Sequence, residues 1–93
     1  MKKINIAITG CLGRMGQQLI KSVKKNNDFK LVALTENKKM DKKIYGLKIN
    51  RNEEQIFKNA QLIIDFTIPK CTFQILKIAT KLKKKVVIGT TGF

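Results

Sequence analysis

A run of evenly spaced glycines between a strand-like and a helix-like segment is the feature that most constrains the fold of this chain. Residues 4–10, INIAITG, alternate with period two and are rich in β-branched side chains, which predicts a buried strand. Residues 13–25 place apolar side chains at helical spacing. Gly10, Gly13 and Gly16 therefore join a strand to a helix, as the first turn of a β-α-β unit does.

The remaining segments continue the alternation of strands and helices. The elements predicted along the chain are strands at 4–10, 29–36, 61–67 and 85–89, and helices at 13–25, 53–60 and 69–84. Residues 37–52 are polar and rich in lysine, and they predict a loop with a brief strand. Alternating strands and helices form a parallel sheet with helices on both faces. The predicted fold class is therefore α/β, a Rossmann-type parallel sheet of four strands.

Helical periodicity also predicts which side chains are buried. The apolar face of the first helix comprises Met15, Leu19, Ile20 and Val23, and that of the last helix comprises Phe73, Leu76, Ile78, Ala79 and Leu82. Asn52 is the predicted N-cap of the short middle helix. Glu53 and Glu54 fall in its first turn, where the helix dipole favours acidic residues.

The chain stops after the fourth predicted strand, at a glycine turn in residues 89–93 that leads to no further element. A four-stranded parallel sheet is half of a doubly wound fold. We therefore expect residues 1–93 to be the dinucleotide-binding, N-terminal portion of a longer enzyme, either as a fragment or as a truncated gene product. On this expectation, a C-terminal substrate-binding and catalytic domain is absent from the chain.

The glycine turn suits a bound pyrophosphate. In the dinucleotide fingerprint, one glycine permits a tight turn, one lets the pyrophosphate approach the backbone, and one lets helix and strand pack closely. Leu12 occupies a position where the usual pattern has glycine, so a turn without a ligand is the alternative. Arg14 lies where the helix dipole disfavours a cation. It either faces bound phosphate or points into solvent.

Glu36 lies at the end of the second predicted strand, 20 residues after Gly16. An acidic residue at this separation accepts hydrogen bonds from the adenosine ribose hydroxyls, which favours NADH over NADPH. The alternative is an ordinary exposed glutamate at a strand end. NADPH stays open because several lysines that can neutralise a 2′-phosphate follow closely: Lys38, Lys39, Lys42 and Lys43.

Further candidates lie at the carboxyl ends of the later strands, where open parallel sheets bind ligands. The residues of this edge are Thr67, Gly89, Thr90 and Thr91. The last two threonines offer hydroxyl and N–H donors to a cofactor, or else belong to a polar loop. Asp65 is either a catalytic acid or a cap for neighbouring N–H groups.

Composition bears on the other possible functions. The chain has 20 Lys and Arg against 6 Asp and Glu, a net charge of +14 that attracts nucleic acid or anionic membranes by its field. A preference for residues with A/T-rich codons accounts for this charge without such a partner. Tyr45 is the only aromatic residue near the first lysine cluster, whereas single-strand binders interleave aromatics for base stacking. We therefore expect no nucleic-acid partner.

Metal and membrane functions are not expected either. Cys11 and Cys71 form no CxxC pair and the chain has no His, so no ordinary zinc site can be built. No apolar run of 18 residues is present. Two cysteines without a signal peptide predict reduced thiols in a cytoplasmic protein. Without a paired base, neither cysteine is expected to be a catalytic nucleophile.

Four segments together carry a family resemblance. GCLGRMG (10–16), LTE (34–36), IDFTIPKCT (64–72) and VVIGTTGF (86–93) occur in this order. Over essentially its whole length, the chain resembles the N-terminal domain of 4-hydroxy-tetrahydrodipicolinate reductase, long called dihydrodipicolinate reductase. That family reduces a cyclic intermediate of the diaminopimelate and lysine pathway with NADH or NADPH. The resemblance thus implies a small-molecule substrate and, for full-length members, a homotetramer.

The resemblance also implies roles for particular residues. The residues that look like the family's pyrophosphate-binding turn are Gly10, Cys11, Leu12, Gly13, Arg14 and Met15. Glu36 looks like its ribose ligand. The residues that look like the loop near the nicotinamide are Gly89, Thr90 and Thr91. The family's histidine-rich segment and catalytic lysine lie downstream, so the resemblance assigns no catalytic residue to this chain.

Two departures from the family pattern concern the cofactor. Better-known members have Arg after the ribose glutamate, where this chain has Asn37. Many also have Arg before the proline of the D-F-T block, where this chain has Ile68. Both departures predict that NADH binds at least as tightly as NADPH.

Two functions other than a reductase are kept as alternatives. One is an NAD-binding module without turnover, and the other is a basic nucleic-acid-binding protein.

Overall fold

The computed structural model describes residues 3–36, 40–66 and 69–89. Its elements in chain order are β1 (Ile4–Thr9), α1 (Arg14–Lys25), β2 (Phe29–Thr35), β3 (Met40–Ile44), β4 (Leu47–Asn50), α2 (Glu54–Phe57), β5 (Leu62–Asp65), α3 (Pro69–Leu82) and β6 (Lys85–Ile88). The strands form one sheet in the order β3-β4-β2-β1-β5-β6. All its pairings are parallel except that of β3 with β4. The predicted Rossmann-type α/β class is confirmed.

Helices cover both faces of the sheet because the central strand β1 has apolar side chains on both of its faces. Ile6 and Ile8 are buried on one face together with Ile20 of α1. Ala7 is buried on the other face together with Ile75 of α3. Alternating residues of a single strand thus support two layers of helix, as parallel sheets require.

The helices bury different residues than predicted at two positions. Met15 is 55% exposed, and Gly16 faces the interior instead. Phe73 is 62% exposed, whereas Ile75 is fully buried. Near the N-terminus of each helix, the bulky side chain of Met15 or Phe73 faces away from the sheet. The small residues Gly16 and Thr72 face the interior at these points. The predicted burial of Met15 and Phe73 is therefore wrong.

Residues 40–50, predicted as part of a loop with a brief strand, form an antiparallel hairpin of two strands, so the sheet has six strands and not four. Tyr45 and Gly46 have φ of 50° and 78°, as two-residue hairpin turns require. Ile49 of β4 is fully buried, while Lys48 beside it is exposed. The exposed, lysine-rich β3 lies at the edge of the sheet, where lysines discourage pairing with other chains. An edge strand of this kind carries no hydrophobic alternation to detect.

The short helix α2 also differs from its prediction. It begins after Glu53, which is its N-cap, and it has no side-chain cap. Asn52 is buried instead, and its carbonyl oxygen accepts a 3.4 Å hydrogen bond from Nε2 of Gln74 in α3. The prediction of an Asn52 cap is wrong, because Asn52 is buried against α3 instead of capping α2.

The strand order creates a crevice between β1 and β5. From β1 the chain passes to β2 on one side, and it later returns to β5 on the other side of β1. Open α/β sheets bind ligands at such a reversal, beyond the carboxyl ends of the strands. Thr9 and Asp65, the last residues of β1 and β5, are paired in register at this point. The fold therefore directs attention to the segments that follow these two residues.

Candidate dinucleotide site

Two glycines shape the turn after β1. Gly10 has a φ of 70°, in the region that favours glycine, so the chain can leave the strand sharply. A Cβ atom on Gly16 would collide with the carbonyl oxygen of Gly10. Helix α1 can therefore pack against the turn only because position 16 is glycine. The roles predicted for these two glycines, a tight turn and close helix packing, are confirmed.

Gly13 is the N-cap of α1 and has an extended backbone. Its N–H donates a 3.1 Å hydrogen bond to the Gly10 carbonyl oxygen, and its own carbonyl accepts the N–H of Gln17 at 2.9 Å. Among the described residues, an added Cβ would come within 4 Å only of the Gly10 oxygen, at 3.4 Å. The lack of a side chain at Gly13 therefore leaves the backbone open to a ligand rather than making room for protein atoms.

The first turn of α1 offers hydrogen-bond donors to an anion. The N–H groups of Arg14, Met15 and Gly16 have no acceptor within the helix because of their position. Gly13 has no side chain with which to cap them. The positive end of the dipole of this 12-residue helix lies at the same point. Arg14 and Met15 are exposed there, as residues that contact a bound phosphate must be.

Hydrogen bonds from neighbouring segments fix the turn. The N–H groups of Gly10 and Cys11 both donate to the carbonyl oxygen of Thr35, at 3.0 and 3.2 Å. Nε2 of Gln17 donates to the carbonyl oxygen of Leu12 at 2.8 Å. Sequence reasoning missed both partners. Any residue supplies a carbonyl at position 35, so no residue type could indicate that contact.

Glu36 is brought to the glycine turn, although it lies 24 positions after Leu12 in the sequence. The Leu12 N–H donates a 2.7 Å hydrogen bond to Oε2 of Glu36. The Glu36 N–H in turn donates to the carbonyl oxygen of Asn50 at 2.9 Å, which fixes its backbone against β4. A carboxylate has about four acceptor positions, so one bond to Leu12 leaves capacity for the hydroxyls of a ribose. The two parts of the predicted fingerprint thus adjoin one another.

Cys11 points into the core rather than toward the candidate site. It is fully buried in the cluster that joins β1 to α1. Burial and, secondarily, the negative charge of Glu36 raise the pKa of its thiol to about 12. A thiol with this pKa is protonated at neutral pH and is a poor nucleophile. Only the backbone of Cys11 is available to a ligand.

A cleft of about 280 Å³ lies between α1 and the hairpin, next to the glycine turn. Its lining residues are Leu12, Gln17, Ile20, Lys21, Lys42, Ile44 and Tyr45. Lys42 lines this cleft together with Leu12 of the glycine turn, and its positive charge opposes, as a minor effect, the rise in the pKa of Cys11. Lys43, its neighbour on β3, does not line the cleft. The structure thus separates two lysines that the sequence treats as equivalent.

Asp65 is fully buried at the end of β5. Its Oδ1 accepts a hydrogen bond from the hydroxyl of Thr9, and its Oδ2 accepts one from the hydroxyl of Thr72, each at 2.5 Å. The Gly89 N–H donates to the backbone carbonyl of Asp65 at 2.8 Å. A Cβ on Gly89 would collide with the ring of Phe66. Sequence reasoning singled out Asp65 and Gly89, but it missed Thr9 and Thr72, whose roles depend on tertiary contact.

The remaining site candidates lie outside the described residues, and their roles stay predictions. They are Asn37, Lys38, Lys39, Thr67, Ile68, Thr90 and Thr91. Across the described ranges, no group of three or more His, Cys, Asp and Glu side chains is placed to hold a metal ion. Within those same ranges, no helix has both the length and the apolar character needed to cross a bilayer.

Comparison with known proteins identifies relatives over the whole chain. The chain is 71% identical over 93 residues to 4-hydroxy-tetrahydrodipicolinate reductase of Pelagibacter ubique strain HTCC1062, covering 100% of this chain and 36% of that protein. It is 41% identical over 105 aligned residues to the enzyme of the same name from Buchnera aphidicola subsp. Acyrthosiphon pisum strain Tuc7, covering 99% and 38%. The chain thus spans little more than a third of these relatives.

A solved structure agrees in fold. The dipicolinate-bound dihydrodipicolinate reductase from Paenisporosarcina sp. TG-14 superposes with a TM-score of 0.80 at 25% identity, covering 98% of this chain and 38% of that one. The family model described as dihydrodipicolinate reductase, N-terminus, matches residues 4–93. That match extends from the first residue of β1 through the segment after β6. The chain therefore belongs to the family of dihydrodipicolinate reductase N-terminal domains.

Proposed function

We propose that this chain is the NAD(P)H-binding part of a 4-hydroxy-tetrahydrodipicolinate reductase. The observation that carries the proposal is the 2.7 Å hydrogen bond between the Leu12 N–H and Glu36, which joins a phosphate-type turn to a ribose-type acid. A glycine turn alone is compatible with an empty strand-to-helix connection. A turn that also holds a half-buried acid beside the start of α1 has both parts of a dinucleotide site.

The residues present fit the cofactor. The backbone N–H groups of Arg14 and Met15 would hold the pyrophosphate, and the open backbone at Gly13 allows its close approach. Arg14 would add a positive charge next to the phosphates. Glu36 would accept the adenosine ribose hydroxyls while its other acceptor position stays bound to Leu12. When bound, the reduced nicotinamide supplies a hydride.

The whole reaction that we propose is reduction of 4-hydroxy-tetrahydrodipicolinate to tetrahydrodipicolinate in lysine and diaminopimelate biosynthesis. We assign no catalytic residue to this chain, whose relatives are nearly three times as long. Residues 1–93 would form the partial dinucleotide domain, and the rest of the length of the relatives would bind the substrate. The two unpaired cysteines suit the cytoplasm, where we place the protein. We expect full-length members to be homotetramers.

We further propose that NADH binds at least as tightly as NADPH. The carboxylate of Glu36 would repel a 2′-phosphate on the ribose that it holds. Lys42, which lines the adjoining cleft, would partly offset this repulsion. Asn37 and Ile68, the two departures from the family pattern that the resemblance implies, contribute no positive charge.

Titration of the purified chain with NADH, followed by nicotinamide fluorescence at about 0.15 M salt, tests the proposal. We expect saturable binding with one NADH per chain. A short DNA oligonucleotide should not displace the bound NADH, so the fluorescence change should persist when it is added. Nonspecific polyanion binding would weaken steeply with salt, so raising the salt separates it from a built site. Failure to bind NADH or NADPH at either salt concentration would contradict the proposal.

A further inference from the structure

We infer that Asp65 is a positioning residue for the nicotinamide half of the cofactor, an inference that rests on the proposed function. The last residues of three adjacent strands form a row across the sheet. Thr9 of β1 is paired with Asp65 of β5, which is paired with Ile88 of β6. Asp65 therefore occupies the middle of this row, between the glycine turn on one side and Gly89 on the other.

Three different oxygen atoms of Asp65 hold three separate segments. Oδ1 accepts from Thr9, which directly precedes the glycine turn. Oδ2 accepts from Thr72 near the start of α3, and the backbone carbonyl accepts from the N–H of Gly89. The contacts join residues that are 56, 7 and 24 positions away in sequence. A single buried residue thus sets the mutual positions of all three segments at this edge.

The chemistry at position 65 favours positioning over simple packing. A buried polar group is costly unless it is hydrogen-bonded, and a core position that serves only stability is ordinarily apolar. Asp65 is fully buried, and both of its carboxyl oxygens act as acceptors. Each threonine hydroxyl bonds a different carboxyl oxygen of Asp65, whereas asparagine would present an acceptor at only one of these two positions.

Two side-chain contacts of Asp65, those with Thr9 and Thr72, differ in what they position. The bond to Thr9 lies beside the glycine turn, which would bind the pyrophosphate that NADH and ADP-ribose share. The bond to Thr72 places the start of α3, on the side away from Glu36 and β2. With its adenosine ribose at Glu36 and its pyrophosphate at the glycine turn, the cofactor would extend its nicotinamide toward this side, beyond β5. Loss of the Thr72 contact should therefore weaken binding of NADH more than binding of ADP-ribose, which lacks the nicotinamide.

The test compares NADH and ADP-ribose affinities of the full chain by calorimetric titration. For Thr72→Val we expect NADH to bind about tenfold more weakly, the effect of one buried hydrogen bond, with ADP-ribose changed less than about twofold. For Asp65→Asn we expect at least the same loss for NADH, because one acceptor oxygen becomes a donor. Thr80→Val is the matched control on the same helix, since Thr80 is exposed and its hydroxyl donates to the Leu76 carbonyl within that helix.

The outcomes separate this inference from the proposed function. If Thr72→Val weakens binding of NADH but not of ADP-ribose, and Thr80→Val binds both ligands like wild type, the result supports Asp65 as a positioning residue. Equal weakening of both ligands, or no change in Thr72→Val, overturns the inference while the proposed function stands. If wild type binds neither ligand, the proposed function fails and the inference with it. Should Asp65→Asn unfold, as circular dichroism would reveal, Thr72→Val still decides the question.

Discussion

The backbone N–H of Leu12 and the carboxylate of Glu36 are joined by a hydrogen bond of 2.7 Å. This contact ties the glycine turn after β1 to the end of β2, and the Glu36 backbone is held in turn by Asn50 of β4. The acid therefore has a fixed place beside the first turn of α1. Because the carboxylate is already oriented, a ribose would meet an acceptor that needs little reordering on binding.

Replacement of Glu36 tests its role as the ribose acceptor. Glu36→Ala removes a hydrogen-bonding carboxylate, so we expect NADH affinity to fall by roughly tenfold to a hundredfold, about 1.5–3 kcal/mol for bonds to a charged group. ADP-ribose should lose as much, because it carries the same ribose. Calorimetric titration of both ligands measures the effect. Glu53→Ala, which removes an exposed carboxylate at α2, is the control and should bind like wild type.

Alanine at Gly16 should lower stability, whereas alanine at Gly13 should weaken cofactor binding. At Gly16 a Cβ would collide with the Gly10 carbonyl oxygen, so we expect Gly16→Ala to lower the free energy of unfolding by about 1–3 kcal/mol. At Gly13 the added Cβ makes only an ordinary contact, at 3.4 Å, so stability should change by less than about 1 kcal/mol. Gly13→Ala should instead weaken NADH about tenfold, because the methyl group hinders the pyrophosphate.

Urea denaturation and NADH titration of the two glycine variants provide the measurements. If Gly13→Ala binds NADH as tightly as wild type, the turn does not approach a pyrophosphate at this position. If Gly16→Ala is as stable as wild type, the close packing of α1 on the turn is not required.

Lys42 and Lys43 offer a matched pair for cofactor choice. Lys42 lines the cleft beside the glycine turn, and Lys43 does not. We expect Lys42→Ala to weaken NADPH about threefold to tenfold relative to NADH, since a lysine near a phosphate contributes as a point charge. Lys43→Ala should leave the ratio of the two affinities unchanged. Equal effects of the two variants would show that only the general positive field attracts the 2′-phosphate.

The raised pKa of Cys11 predicts a loss of stability in alkali. The folded chain keeps this thiol protonated up to a pKa of about 12, whereas an ordinary thiol ionises near 9.0. Between these values the unfolded chain binds fewer protons, so the free energy of unfolding falls as pH rises, by at most about 1.4 kcal/mol per pH unit. Below about pH 9 this contribution is fully present.

Comparison with Cys11→Ala isolates the contribution of Cys11 to this pH dependence. The variant is less stable at neutral pH because it leaves a cavity, but it lacks the ionisable thiol. We therefore expect the difference in unfolding free energy between wild type and variant to narrow as pH rises from about 8 to about 10.5. Urea denaturation at each pH measures the difference, and all other ionisable residues are common to both proteins. A difference that stays constant with pH would contradict the burial of Cys11.

Local pattern and fixed spacing account for what the sequence could predict. The alternation in β1, the periodicity of α1 and the separation of Gly16 from Glu36 all follow from neighbouring residues. The hairpin was missed because its outer strand is exposed and its turn uses Tyr45, a residue type that rarely adopts positive φ. These elements show that a short, polar edge strand is detected only once the sheet that it joins is known.

The polar contacts at the carboxyl edge were beyond sequence reasoning for a different reason. Thr9 and Thr72 approach Asp65 only because β1, β5 and α3 pack together. A threonine that ends a strand looks the same in sequence whether or not its hydroxyl meets a buried acid. Sequence spacing identified Glu36, but it could not show that the Leu12 N–H holds its carboxylate in place.

The central claim is that the start of α1 and Glu36 form one dinucleotide site, and an amide NMR titration tests it at the level of single residues. Uniformly ¹⁵N-labelled chain is titrated with NADH at about 0.15 M salt, where weak polyanion contacts are reduced. We predict saturable shifts that are largest at Gly13, Arg14, Met15 and Glu36, with none beyond noise around α2. Shifts scattered over the lysines that disappear at higher salt, or no shift at the start of α1, would contradict the account.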